Sequence, residues 1–316
     1  MNKWILWLLL LVICGCILFV VFQTVSNSIP QEFGTIEVYF CPGDCEQQLV
    51  QRIIAANKSV HCAFFDLNVD SIITALSEST TDVKVIVDKD NAEGLTLPFM
   101  QTDTRSAYMH DKFCIFDSKS IFTGSMNPTT SDAGKNNNNI LFIDSAYLAR
   151  NYEDEFNAMW NGKFGKDAKV KYPQMKLNEI IIENFFCPED KCENHIAEQL
   201  ESAKSSIYFM QFSFTSDVLG DILLEKSRTI EVKGIFEKSQ NSQYSEYEKL
   251  KEISILDTSS GLLHHKVFII DNETVITGSM NPSKNGNENN DENIIIIHDK
   301  EIAEMYVEEF EELFFQ

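Results

Sequence analysis

The first apolar feature of the chain is a run from Trp4 to Phe22, "WILWLLLLVICGCILFVVF", with Lys3 ahead of it. At ~1.5 Å per residue, a helix of that length crosses a hydrocarbon core of roughly 30 Å. The pattern predicts one N-terminal transmembrane helix within residues 1–27, with a cleaved signal peptide as the alternative. The next basic residue after Lys3 is Arg52, so the charge bias sets the N-terminus inside and the body outside. The expectation is a single-pass membrane protein with an extracytoplasmic body, or a secreted one after signal cleavage. Beyond this segment the apolar residues fall into short runs separated by amphipathic stretches. They predict a strand, a helix after a Cys pair, a strand ("VHCAFFDL", "SIYFMQFSF"), a helix and a strand ("VKVIVD", "VKGIFE"). Two more strands follow, then a polar loop, a strand ("NNNNILFID", "NDENIIIIHD") and an acidic amphipathic helix ("YLARNYEDEFNAMW", "EIAEMYVEEFEELF"). Alternation of this kind predicts α/β layers.

Every quoted run comes in two versions because the pattern is written twice. The units are residues 35–165 and 178–316, and the polar segment Lys163–Lys176, with Pro173, connects them. The period is far longer than the 20–50 residues of a solenoid repeat. Two large copies predict a pseudo-twofold pair of domains with a site where they face each other. The densest agreement lies between "MHDKFCIFDSKSIFTGSMNP" (Met109–Pro128) and "LHHKVFIIDNETVITGSMNP" (Leu263–Pro282).

With "HDKFCIFD" read as a strand, His110 and Lys112 share one face, as do His264 and Lys266 in the second copy. Gly124 and Gly278 permit a turn or a close approach. Ser125, Asn127, Ser279 and Asn281 then add uncharged donors to bind substrate beside the His-Lys pairs. Two histidines, two lysines and two amides suit a phosphodiester. Lysines and amides grip the nonbridging oxygens. One imidazole attacks phosphorus, and the other protonates the leaving oxygen and then activates water. Each copy supplies half of this set. No metal and no cofactor is expected.

The spacing His-x-Lys-x4-Asp-x6-Gly-Ser-x-Asn, met twice, resembles the HKD signature of the phospholipase D superfamily, and the likeness runs over essentially all of Val38–Phe315. The resemblance implies two α/β sandwich repeats about a pseudo-twofold axis and metal-independent cleavage through a phosphohistidine. It places His110, Lys112 and Asn127 in one half-site and His264, Lys266 and Asn281 in the other. Asp117 and Asp271 match the family's aspartate but have the opposite strand parity to the histidines, so they are expected to be structural. Eleven residues beyond Asn281 stands Glu292, and eleven beyond Asn127 stands Asn138. If each bonds the histidine of its own half, the carboxylate favours an imidazolium at His264 and the amide leaves His110 neutral. On that basis His110 attacks and His264 donates the proton.

Composition narrows the substrate. The chain has 316 residues and a formal net charge of −22, which argues against broad nonspecific binding to duplex nucleic acid. Of eight cysteines, Cys14 and Cys16 lie in the apolar run, while Cys62 and Cys114 read as buried small side chains. Cys41 with Cys45, and Cys187 with Cys192, read as local disulfides, with a four-Cys zinc site as the alternative. His61, His195 and His298 read as surface or core residues. His265 is a minor candidate for substrate contact. Lys135 and Lys284 either add charge near a phosphate or sit in solvent. Phe65, Phe212 and Phe214 read as core before cleft. The combined expectation is a membrane-anchored nuclease acting on single-stranded nucleic acid. The alternative is a phospholipase D, cardiolipin hydrolase or cardiolipin synthase acting on phospholipid headgroups. A monomer suffices, since one chain holds both half-sites.

Overall fold

A computed structural model describes Trp4 and residues 29–165 and 169–316. Apart from Trp4, the predicted N-terminal anchor lies outside the described residues. Among the described residues no helix is long and apolar enough to cross a membrane.

The chain opens with β1 (Gln31–Glu32). The first half continues through β2 (Ile36–Cys41), α1 (Cys45–Ala55), β3 (Ser59–Phe64), α2 (Asp70–Glu78), β4 (Asp82–Val87) and β5 (Met100–Thr102). It then runs through β6 (Lys112–Phe116), β7 (Ser120–Gly124), α3 (Thr130–Gly134), β8 (Asn138–Asp144) and α4 (Ala146–Trp160). The second half begins with β9 (Gln174–Leu177), β10 (Ile180–Cys187), α5 (Cys192–Ser202), β11 (Ser206–Gln211), α6 (Asp217–Lys226) and β12 (Glu231–Phe236). It ends with α7 (Tyr247–Leu250), β13 (Ser254–Leu256), β14 (Lys266–Ile270), β15 (Thr274–Gly278), α8 (Lys284–Glu288), β16 (Glu292–His298) and α9 (Lys300–Phe314). The short elements α3, α8, β5 and β13 carry too little periodicity to show in the sequence pattern.

The sheets repeat each other. One has the order β2-β8-β7-β6-β3-β4-β5, and the other contains β10-β16-β15-β14-β11-β12-β13, the same order element for element. Strands β1 and β9 extend the edge of the second sheet. In each half, β3 or β11 pairs parallel to the next strand and antiparallel to the motif strand. The centre of each sheet is covered on both faces, so β16 reads Ile294–Ile297 without alternation, and all four are buried. One apolar cluster backs the outer helices of the first half through Leu49, Ile53 and Ile72, and another backs those of the second through Ile196, Leu200 and Leu219. The third joins the two halves, setting Phe113, Tyr152 and Phe156 against Val267, Tyr306 and Phe310. α4 and α9 therefore belong to the shared core. Ser145 caps α4 through Leu148 N, and Asp299 caps α9 through Ile302 N.

Cys41–Cys45 and Cys187–Cys192 are disulfides, as expected, so their sulfurs are not the thiolates a zinc site needs. The reading of Cys62 and Cys114 as free buried side chains is corrected. They face each other in register across β3 and β6 and are also bonded.

Candidate active site

The motif histidines stand just ahead of their strands rather than within them, since β6 starts at Lys112 and β14 at Lys266. What holds them is backbone from the other half. His110 N donates to Asp291 O at 2.9 Å, and Asp291 N donates to Tyr108 O at 3.0 Å. His264 N donates to Asn137 O at 2.8 Å, and Asn137 N to Leu262 O at 2.8 Å. These two stitches are related by the internal repeat. They put each histidine beside the segment that follows the opposite motif.

The side chains complete the exchange. His110 Nδ1 lies 2.8 Å from Glu292 Oε2 of the second half. His264 Nδ1 lies 2.8 Å from Asn138 Oδ1 of the first. The expectation that each would serve its own half is therefore corrected, and the sequence rationale for the roles of the two histidines goes with it. The cause is topological: the strand after each motif begins against the neighbouring half's histidine. Asn138 Nδ2 donates to the carbonyls of Asp132 and Asn136, both at 3.2 Å, so its Oδ1 must be the atom facing His264. His264 Nδ1 consequently carries a proton, which leaves Nε2 as the reactive nitrogen. Ser125 and Ser279, expected to touch substrate, are fully buried instead. Ser125 Oγ donates to Asn138 Oδ1 (3.2 Å), and Ser279 Oγ donates to Glu292 Oε2 (2.8 Å). They orient the groups that orient the histidines.

Lys112 Nζ donates to His110 O at 2.6 Å and Lys266 Nζ to His264 O at 2.7 Å. Phe65 sets its ring edge-on to His110, with centroids 4.6 Å apart, and Phe212 does the same to His264 at 4.7 Å. The ammonium groups sit over the same rings, at 5.0 and 4.9 Å. Phe214, in contrast, is core. Burial first, and the neighbouring lysines next, hold both imidazoles well below their ordinary range. Burial brings Lys112 down to about 8, and burial with the Lys112 charge brings Lys266 well below its usual value. Burial raises Glu292 to about 8 against the pull of Lys112 and Ser279. The site thus sets two ammonium groups and two imidazoles close together, with Glu292 and Asp132 beside them.

Asp117 and Asp271 sit away from this cluster. Asp117 accepts the N–H groups of Asn57, Lys58 and Ser59, and Asp271 those of Lys204, Ser205 and Ser206. Each ties its motif hairpin to the start of the adjoining strand. Cys41 Sγ and Met126 Sδ lie 3.7 Å apart, and Cys187 Sγ and Met280 Sδ 3.8 Å, so each local disulfide backs a Gly-Ser-Met-Asn turn. His61 stacks on Phe156, His195 on Phe185, and His298 bonds Glu183. His265 is buried, with its ring nitrogens on Asn139 and Glu309. Lys135 and Lys284 are exposed, and Lys284 lies 4.0 Å from Glu288.

Sequence reasoning missed three participants. Asn139 and Asn293 form a buried polar seam between the sheets. Asn139 Nδ2 donates to Thr277 and Tyr306, while Asn293 Oδ1 accepts from Thr123 and Tyr152. Their amides point in opposite senses because Asn293 must donate to Asp111, whereas Asn139 offers its oxygen to His265. The repeated Asn-Ile after positions 138 and 292 was the available signal. The third is Asp132, which lies near His264 and has no acidic counterpart in the other copy, where the position is Gly286.

Comparison with known proteins agrees with this geometry. The family model described as "Cardiolipin synthase, PLD-like domain" matches residues 49–160 and 196–314, well over half of the chain. A phospholipase D of Rickettsia typhi (strain ATCC VR-144 / Wilmington) is 32% identical over 148 residues, covering 45% of this chain and 72% of the relative. A mitochondrial cardiolipin hydrolase of Canis lupus familiaris is 30% identical over 169 residues, covering 48% of this chain and 66% of the relative. The crystal structure of phosphatidylserine synthase from Haemophilus influenzae Rd KW20 superposes with a TM-score of 0.67 at 14% identity, covering 88% of this chain and 85% of that one, a likeness of fold. The chain belongs to this PLD-like family, and is a phosphodiesterase of the phospholipase D superfamily.

Proposed function

We propose that the protein hydrolyses the phosphodiester of a phospholipid headgroup through a phosphohistidine on His110. The observation that carries the chemistry is the crossed pair of hydrogen bonds, His110 to Glu292 and His264 to Asn138. Each bond occupies Nδ1 and leaves Nε2 for the substrate, one nitrogen from each half. A phosphate entering between them places negative charge beside Lys112 and Lys266 and raises the imidazole affinities for protons. His110 Nε2 attacks phosphorus as the bond to the leaving oxygen breaks, and His264 Nε2–H supplies that oxygen with its proton. Positive charge develops on the His110 ring, and the Glu292 carboxylate, made more basic by burial, accepts the Nδ1–H hydrogen bond and stabilises that charge. Water then gives its proton to His264 and attacks phosphorus, the N–P bond breaks, and both imidazoles are restored.

The choice of lipid over nucleic acid rests on charge and likeness. The cations of the site are two buried lysines, enough for one diester, on a chain of net charge −22 that repels a polyanion. Tyr108 and Leu262, each two residues ahead of a motif histidine, are 44% and 38% exposed and provide an apolar rim. The two curated relatives described above, at 32% and 30% identity, bear lipid-directed names. A single-stranded oligonucleotide is the competing substrate, since Phe65 and Phe212 offer ring edges beside the phosphorus position. Three disulfides support an extracytoplasmic body. The test offers the intact protein dihexanoyl phosphatidylcholine, cardiolipin vesicles, single-stranded DNA and RNA, and bis-(4-nitrophenyl) phosphate. Headgroup release with intact oligonucleotides is expected. Cleavage of oligonucleotides alone would overturn the lipid assignment and leave the chemistry standing.

A further inference from the structure

Each histidine of the pair needs a counter-charge, and the two halves supply it differently. His110 has Glu292 directly on Nδ1. The equivalent position for His264 is Asn138, which accepts the Nδ1 proton but carries no charge. Six residues earlier lies Asp132, on the short helix α3. Its Oδ2 is 3.3 Å from the same His264 Nδ1. The residue is 4% exposed. Its position is fixed by Asn127 N (2.9 Å) and Asn127 Nδ2 (2.8 Å) on Oδ2, and by Asn136 Nδ2 (2.7 Å) on Oδ1. In the second half the corresponding position is Gly286, where a carboxylate would be redundant because Glu292 is already in place. The carboxylate absent from position 138 thus reappears in space at position 132.

We propose that Asp132 is the positioning residue of His264: it supplies the negative charge that keeps the imidazolium available as proton donor, while Asn138 sets only the tautomer. This rests on the reading of His264 as the general acid. The groups facing His264 are Lys266 ahead of its own strand's apolar stretch, Lys112 and His110 from the first half, and Asp132, which alone among these four favours the charged ring. Glu292 acts on Lys266, and Asp66 lies within the field of Asp132. Burial works against the Asp132 charge, but His264, Asn136 and Asn127 outweigh it, so the carboxyl stays below its usual range and is ionised at neutral pH. A carboxylate shared between Asn127 and His264 also links the phosphate-gripping amide of one half to the acid of the other.

The experiment compares wild type, Asp132→Asn, Asn138→Asp and the double variant Asp132→Asn/Asn138→Asp on bis-(4-nitrophenyl) phosphate across pH. Asp132→Asn should lower kcat at least about tenfold with KM little changed. Its alkaline limb should move to lower pH, because the acid loses its proton sooner. The double variant should recover most of the rate and the limb, since a carboxylate then sits on Nδ1 directly. An unshifted limb in Asp132→Asn, or a double variant no better than the single, overturns the proposal. If Asp132→Asn does not fold, Asn138→Ala replaces it: His264 should then still titrate near its wild-type position by NMR, and a collapse of that titration would assign the support to Asn138 instead. The NMR titration needs no turnover, so it separates this inference from the assignment of the reaction. A wild type inactive on every diester would defeat the latter alone.

Discussion

At equivalent places the two halves fill the same volume by different means. In the first, Cys62 of β3 and Cys114 of β6 face each other and form a disulfide, with Val85 of β4 on the far side of Cys62. In the second, the same register holds Phe209 against Phe268, with centroids 6.2 Å apart, and Gly234 beside Phe209. A Cβ on Gly234 would come within 1.9 Å of the Phe209 ring, so the glycine exists to admit the phenylalanine. One sheet is stapled and the other is packed. Both devices sit on a motif strand two residues beyond the lysine, on the same face of the sheet as the lysine. The sites differ in the same spirit, Glu292 against Asn138 with Asp132: the duplicated scaffold is kept while its supporting contacts are redistributed.

The comparison can be broken at several depths. Each tenfold in rate corresponds to about 1.4 kcal/mol, which places activity and stability effects on one scale. The largest effect is expected at the shared centre. His110→Asn and His264→Asn should each lower kcat by about 10⁴-fold or more with unchanged circular dichroism. A half-site working alone would leave one of them largely active. Next comes the staple. Cys62→Ala with Cys114→Ala opens a loop of sequence separation 52 and should cost about 4 kcal/mol in urea unfolding, against roughly 2 kcal/mol for Cys41→Ala with Cys45→Ala, whose separation is 4. Equal losses would show that loop length is not what matters. Glu292→Gln should lower kcat about 100-fold or more, because a glutamine can present N–H to Nδ1 and select the wrong tautomer. The smallest effect is expected at Gly234→Ala, about 1–3 kcal/mol from overpacking. Combining it with Phe209→Val should recover most of that loss. If it does not, the ring is not the reason for the glycine.

The sequence disclosed most of this where chemistry or periodicity leaves a repeated mark. His110, Lys112 and Asn127 and their partners His264, Lys266 and Asn281 were legible because the same residue types recur at one spacing. The succession of strands and helices was legible in the repeated pattern, while the order of the strands in each sheet came only from the structure. The crossing of Glu292 to His110 was not legible, because which residue meets which histidine depends on how the halves dock, and spacing within a half carries no record of that. Asp132 escaped because it sits on a five-residue helix without an acidic counterpart. Cys62–Cys114 escaped because each cysteine, taken alone, matches a buried small residue, and only the β3–β6 register brings them together. The buried serines were misjudged for a similar reason: a hydroxyl beside a phosphate site and a hydroxyl behind it look alike in one dimension.

The central claim is that both half-sites serve one phosphorus atom. Crystals of the protein with vanadate test it most directly. The account predicts a single vanadium between the halves, bonded to Nε2 of His110, with His264 Nε2 opposite and Lys112 and Lys266 on its equatorial oxygens. Two separate anions, one on each histidine-lysine pair, would contradict it.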